Sequence, residues 1–274
     1  MPEGPEIKLA ADKIAKAIAL RPIKEIFFAF EHLKPYQDIL VKQQVTGVDT
    51  KGKGMLIRFD NSLSIYSHNQ LYGKWIIRKA YDYPKTKRQL RMAIHNEQKS
   101  ALLYSASDID VLDEREIAIH PFLSRLGLDV LDSSTTPKKI KARLLNKSFC
   151  RRRFTSLFLD QRFLAGLGNY LRSEILFVAR VHPTLRPVDC NQQQISALAK
   201  AAIDVPRQSY QTKGITNDLK IVKQLKVDGY KRQDYRHWVF GRNERPCYVC
   251  NTVIVKEVSG GRRYYYCPHC QKLK

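Results

Sequence analysis

"CYVCNTVIVKEVSGGRRYYYCPHC", residues 247–270, decides how the last segment of this chain folds. Cys247 and Cys250 form one close pair, Cys267 and Cys270 a second, and sixteen residues lie between the pairs. That spacing fits four thiolates around one Zn2+ ion, with a β-hairpin supplying the intervening chain. Four protein ligands leave no open coordination position, so the metal is read as structural. His269, between two ligands, reads as a bystander. Glycines at 260 and 261 mark the hairpin turn, and Arg262 and Arg263 stand near its tip beside three tyrosines. Such a tip could enter a groove or grip phosphates, and ordinary surface charge is the plain alternative.

Charge points the same way. The 274 residues carry 48 Lys and Arg against 26 Asp and Glu, a net charge of +22. Surfaces of that kind suit a polyanion, with nucleic acid ahead of an anionic membrane. A hydrophobic content of 43% is enough for a substantial core, which excludes global disorder. No apolar run reaches membrane-spanning length, and no basic start followed by an apolar stretch suggests secretion. Cys150 and Cys190 stand alone, so the cysteines read as metal ligands in a reducing compartment, the cytoplasm. Lys138 to Arg153 holds eight basic residues and no acidic one, a stretch able to track a phosphate backbone.

Working back toward the start, the texture changes twice. From about Pro121 onward it is helical: "TPKKIKARLLN" opens with good capping residues, and 151–181 reads as two helices joined at "GLGN". Glycines at 166 and 168 allow close backbone approach, and a helix starting at Asn169 offers free amides to a phosphate. "NQQQISALAKAAIDVPRQSY" reads as a third helix, whereas 212–237 is polar, basic and reads as a loop or linker. From Ile23 to about Leu112, short β-branched and aromatic segments alternate with Gly, Asn and Asp, the signature of an antiparallel sandwich or barrel. Within it, "TKGKG" is a turn displaying Lys53, read as a proton-transfer group, a solvated lysine or a phosphate contact. "SHNQLYGKW" is a turn carrying Gln70, Leu71 and Tyr72. These three could wedge into a base stack, or Leu71 and Tyr72 could tuck into the core.

The chain opens "MPEGPE", followed by Ile7, Ala10, Ala11, Ile14 and Ile18 at helical spacing. Proline and acids suit a helix start. If Met1 is removed, however, Pro2 presents a secondary amine. An α-amine has a pKa of about 7.7 to 8.0, so a useful fraction is neutral near pH 7 and able to attack a sugar C1′. Glu3 stands next to it as a proton donor.

Taken together, "MPEGPE", "TKGKG", "LAGLGNYLRSEIL" and the terminal "YCPHCQ" hairpin resemble the formamidopyrimidine-DNA glycosylase and endonuclease VIII family, in the same order over nearly the whole chain. "LKPYQ", "YSHNQLYG", "LLYSASDID" and "HPFLSRLG" look closer to the bacterial endonuclease VIII branch. The resemblance implies an α+β multidomain fold: an N-terminal helix plus antiparallel β-sandwich over 1–120, a helix-two-turn-helix domain over 121–237, and a four-cysteine zinc-finger β-hairpin over 238–274. It implies a bifunctional DNA glycosylase/AP lyase of base excision repair that acts on oxidised pyrimidines such as thymine glycol. Pro2 would be the Schiff-base nucleophile, Glu3 the proton donor, Lys53 the β-elimination residue and Arg262 the δ-elimination residue. Gln70, Arg125 and Asn169 would contact damaged DNA, and Gln70, Leu71 and Tyr72 would fill the gap left by the flipped nucleotide. A bacterial, nucleoid-associated monomer with one structural Zn2+ completes the expectation. Rival readings are an 8-oxoguanine-preferring glycosylase of the same family, a non-catalytic zinc-dependent DNA-binding protein and a proline-based tautomerase.

Overall fold

The computed structural model describes residues 2–273; Met1, whose removal would free the Pro2 amine, lies outside them. The chain forms two compact units. One comprises Pro2 and Glu6–Arg125, the other Glu3–Pro5 and the chain from Leu126 onward.

In the first unit, helix α1 (Gly4–Ile18) buries Ile7, Ala11, Ile14 and Ile18, the stripe legible in the sequence. It is followed by β1 (Glu25–Phe28), the short helix α2 (Tyr36–Val41) and seven further strands: β2 (Val45–Lys51), β3 (Gly54–Phe59), β4 (Ser64–His68), β5 (Lys74–Lys79), β6 (Leu90–His95), β7 (Lys99–Tyr104) and β8 (Asp108–Leu112). The eight strands make two antiparallel four-stranded sheets, ordered β1-β6-β7-β5 and β2-β3-β4-β8. Their facing side chains, among them Phe28, Met55, Ile57, Ile65, Met92 and Leu103, close one core with the α1 stripe. Strand alternation sends Leu102 and Tyr104 to the other face of β7, where they meet Ala93 and a smaller apolar cluster. The expected sandwich is therefore present. Helix α3 (Glu114–Ile119), started by an Asp113 capping box, follows the last strand.

Two connections in this unit matter later. The β2–β3 hairpin turns through Gly52 and Lys53, flanked by the Lys51–Gly54 pair. Gly52 has φ of 60°, and a glycine with positive φ at the first central position is what a type II′ turn demands. The β6–β7 turn is held by Asn96, whose Oδ1 accepts from the Gln98 and Lys99 amides at 3.0 and 2.7 Å. Its Nδ2 donates to the Ala17 carbonyl of α1 at 2.9 Å.

The second unit begins at β9 (Leu128–Asp129), paired in parallel with β10 (Leu164–Ala165). Between them lie α4 (Pro137–Leu145), capped by Thr136 as its sequence predicts, and α5 (Phe154–Leu157). Helices α6 (Asn169–Val178), α7 (Gln192–Gln211), α8 (Leu219–Val227) and α9 (Arg232–Tyr235) precede the hairpin of β11 (Val255–Ser259) and β12 (Arg262–Tyr266). Ile140, Leu144, Leu171, Ile175, Leu198 and Ala202 form the helical core. A smaller core of Phe177, Val239, Ile254 and Tyr265 joins α6 to the hairpin.

Two sequence expectations are corrected. The helix expected before "GLGN" is only the single turn α5: Phe154 meets Phe158 edge-on, and the chain then turns so that Phe158 stacks on Phe163. Asp160 then ends the turn, its backbone carbonyl accepting from the Phe163 amide at 2.9 Å and its side chain from Arg162 at 2.9 Å. Residues 212–237, read as a loop or linker, contain α8 and α9. Asp218 caps α8 through the amides of Lys220 and Ile221. No helix among the described residues is long and apolar enough to cross a membrane.

Replacing Asn96 by alanine removes the turn bonds and the tie to α1 while leaving the Ala17 carbonyl buried without that donor. We expect a loss of about 1–3 kcal/mol, read as a lower urea midpoint for the first unit.

Candidate active site and metal centre

The α6 N-terminus is built from three glycines and one carboxylate. A helix start leaves its first amides without intrahelical partners. Here the N-cap is Gly168, which has no side chain to offer. Glu3 supplies the acceptor instead: Oε1 takes the Tyr170 amide at 2.9 Å and Oε2 the Leu171 amide at 3.2 Å. In return, the Gly4 amide at the start of α1 donates to the Gly166 carbonyl at 2.8 Å. Glu3 is only 3% exposed, and the helix dipole favours its negative charge. A Cβ on Gly168 would lie 2.4 Å from Glu3 Cδ, so no larger residue fits without moving the carboxylate.

Behind this seat lies Arg172, wholly buried. One terminal nitrogen donates to the Thr155 carbonyl. The other donates to Asn169 Oδ1 at 3.5 Å and to the Arg263 carbonyl of the hairpin at 2.7 Å. Its guanidinium lies 5.7 Å from the Tyr264 ring. Burial pulls its pKa down to about 10, against the favourable charge of Glu3, and Arg262 adds a like-charge contribution in the same direction as burial. It remains protonated at neutral pH.

Two residues further along α6, Glu174 is fully buried and accepts from the amides of Trp238, Val239 and Phe240 and from the Thr216 hydroxyl. Burial pushes its carboxyl above the ordinary range, against those four donors. Since the Thr216 proton goes to the carboxylate, His237 Nδ1–H is the donor in its 2.9 Å contact with Thr216. Desolvation, reinforced by Arg236 and Arg232, holds His237 neutral with a pKa near 3.

The expected site residues fall as follows. Pro2 is half-buried and Glu3 sits in its seat. Asn169 is the first residue of α6 and touches Arg172. Arg262 is exposed at the first position of β12, after Gly260 and Gly261 with φ of 55° and 71°. Two central glycines with positive φ fit a type I′ turn. Lys53 is half-buried at its II′ turn; burial lowers the pKa of His68 against the opposing charge of Asp108, and Lys53 adds a smaller effect in the direction of burial. Arg125 is exposed at the end of a short 3-10 turn. The Gln70–Leu71–Tyr72 turn is outside the core: Leu71 is 60% exposed and Tyr72 69%. Sequence reasoning passed over Arg172, Glu174, Thr216 and His237. The available signal was an Arg and a Glu inside an otherwise apolar helix, "NYLRSEILFV".

The four cysteine sulfurs lie within 4.8 Å of one another. Cys247 and Cys270 are 3.9 Å apart, Cys250 and Cys267 3.4 Å, and Cys250 and Cys270 3.5 Å. A tetrahedral ion with bonds near 2.3 Å needs sulfurs about 3.8 Å apart, so the donor set fits a closed metal site. The Val249 amide donates to Cys247 Sγ and the Cys270 amide to Cys267 Sγ, contacts that suit thiolates.

Together these features make a sandwich with a terminal helix, and a helical unit carrying a four-cysteine hairpin built to hold a metal. Residues 1–115 match the formamidopyrimidine-DNA glycosylase N-terminal domain, 126–220 its H2TH domain, and 245–273 the zinc finger found in FPG and IleRS. The chain is 46% identical over 272 residues to Endonuclease 8 of Salmonella paratyphi B, covering 99% of this chain and 100% of the relative, and equally so to that of Salmonella agona. A Lactococcus lactis Fpg solved in complex with DNA containing an abasic site has a TM-score of 0.81 at 19% identity, covering 99% of this chain and 100% of that one. MutM in complex with DNA containing carbocyclic 8-oxo-G gives 0.79 at 20% identity, with the same coverage. The chain belongs to the formamidopyrimidine-DNA glycosylase and endonuclease VIII family, and its activity is that of a bifunctional DNA glycosylase/AP lyase in base excision repair.

The Gly168 contact gives a direct test. Gly168→Ala displaces the Glu3 carboxylate by roughly an ångström, which can cost on the order of 100-fold in rate. We expect base excision in single-turnover assays to fall by that order, and the thermal melt to drop by what a weakened helix cap costs, about 1 kcal/mol.

Proposed function

We propose that this protein excises oxidised pyrimidines, thymine glycol among them, from damaged DNA through a Schiff base on Pro2, and then cuts the strand by β- and δ-elimination. It would act as a cytoplasmic monomer holding one structural Zn2+ on Cys247, Cys250, Cys267 and Cys270. The observation that carries the reading is the seat of Glu3, a buried carboxylate that directly follows Pro2 and is oriented by two helix amides. With Met1 removed, the Pro2 nitrogen attacks C1′ as the C1′–base bond breaks, and the base leaves carrying the proton the amine gives up; the C1′–O4′ bond then opens, O4′ taking a proton, and an iminium joins enzyme to sugar. Glu3 moves the proton in that step. Lys53, presented by a rigid hairpin turn, serves the β-elimination that breaks the C3′–O bond. Arg262 serves the δ-elimination that breaks the C5′–O bond.

Arg262 is preferred to Arg263 because its charge reaches Arg172 beside Glu3, whereas Arg263 meets Arg172 through its carbonyl. Gln70, Arg125 and Asn169 contact the strand, and Leu71 and Tyr72 enter the space left by the everted nucleotide. Relatives named Endonuclease 8 at 46% identity favour the pyrimidine branch. The net charge of +22 favours a phosphate-lined partner. Zinc, when bound, supplies only a fold constraint, since all four positions are taken by protein.

Borohydride trapping on duplexes carrying thymine glycol or 8-oxoguanine opposite cytosine tests the assignment. We expect an adduct that maps to Pro2 by mass spectrometry and forms faster on thymine glycol. An adduct elsewhere, or none on either duplex, would sink the Pro2 assignment. Metal analysis should give about one zinc per chain, and Cys267→Ser should lose that metal together with the hairpin's protection from proteolysis.

A further inference from the structure

We propose that Arg172 is a positioning residue for strand cleavage: it fixes the hairpin tip against the α6 N-terminus and so keeps Arg262 aligned with Glu3. The inference rests on the roles assigned above to Glu3 and Arg262. Its starting point is an energetic oddity. A fully buried guanidinium is costly to desolvate, and here burial outweighs the favourable charge of Glu3. Its Nε–H is buried without a partner. An apolar side chain of similar length would fill the same volume without either cost, so packing alone does not account for an arginine here.

Nor is the arginine required merely to dock the hairpin. Ser173, the next residue of α6, already ties β12 to the helix, its Oγ accepting from the Tyr265 amide at 3.3 Å. The shared core of Phe177 and Tyr265 adds apolar contact. What Arg172 contributes beyond these is direction and charge at the hairpin tip. Its fork joins Asn169, the first residue of the helix, to the carbonyl of Arg263, the second residue of β12. That fixes the backbone immediately after Arg262. Alternation along β12 puts Arg262 on the face of Tyr264, whose ring lies over the same guanidinium. The like charges of Arg172 and Arg262 repel, and since Arg172 cannot move, Arg262 is driven outward toward solvent and an incoming strand.

The test uses the full chain on a duplex with one natural abasic site. A denaturing gel separates the β-elimination product, a 3′-unsaturated aldehyde, from the δ-elimination product, a 3′-phosphate. Because both arise from one iminium, their ratio does not move when a variant simply loses folded protein. For Arg172→Met we expect the δ-to-β ratio to fall at least tenfold, toward that of Arg262→Ala, while Pro2 trapping and zinc content persist. A wild-type ratio in Arg172→Met would overturn the proposal. Should that variant not fold, Arg172→Lys decides: it keeps the charge but not the planar fork. A reduced ratio with zinc retained supports the positioning role, and an unchanged ratio overturns it. Failure of the wild-type protein to form any Pro2 adduct would remove the underlying assignment as well, an outcome visible before any Arg172 variant is made.

Discussion

The exchange between two helix starts is the constraint on which the site depends. Helix α6 begins with a glycine that cannot cap it, so its exposed amides recruit a carboxylate from elsewhere in the chain. Glu3 fills that role, while the first amide of α1 is satisfied by the Gly166 carbonyl. Each bond requires close backbone approach, and Gly4, Gly166 and Gly168 supply it; a Cβ on Gly4 would already press to 3.1 Å from Gly166. The motifs "MPEGPE" and "LAGLGN" are therefore one structural statement written in two places. On the proposed mechanism a helix cap and a catalytic carboxylate are the same group, so stability and chemistry would select the same residue type.

Helix α6 extends this arrangement in two further directions. Arg172 and Glu174 sit two residues apart on a helix that is otherwise apolar, and each addresses a different segment. Glu174 gathers three consecutive amides at 238–240 and the hydroxyl of Thr216, which closes both ends of the α8–α9 excursion onto one carboxylate. Arg172 reaches the zinc-type hairpin. Buried charges of this kind contribute little net stability against apolar replacements, yet removing one partner leaves the other uncompensated. They are better understood as fixing geometry than as adding to stability.

Local chemistry was legible in the sequence, and tertiary bookkeeping was not. Cysteine spacing, the Thr136 cap, the start of α6 at Asn169 and strands β1 to β7 follow from short-range rules that act within a few residues. The α8 helix escaped notice because Leu219, Val222 and Leu225, though at helical spacing, are interleaved with lysines, and only Val222 is buried. Its position comes instead from Thr216, Asn217 and His237, polar residues whose burial no hydropathy pattern signals. Arg172 was hidden for the same reason: a lone arginine in a sequence with 48 basic residues looks like surface charge until its partners are known.

The Gln70–Leu71–Tyr72 turn shows how exposure itself can be arranged. Gly73 folds back so closely that a Cβ would lie 2.6 Å from Asn69, and its amide donates to the Asn69 carbonyl at 2.7 Å. Gln70 takes the left-handed conformation with φ of 46°, its amide held by His68 Nδ1 at 3.1 Å and its side chain by the Ser107 hydroxyl at 3.0 Å. A non-glycine residue in that region carries a strain of roughly 1–3 kcal/mol, tolerated only where surrounding bonds fix it. The result is that Leu71 and Tyr72 stand in water on a backbone already ordered. In the proposed role, two large side chains left exposed in this way would gain on entering a base stack what they forgo in the free protein, and the backbone would have no further order to acquire.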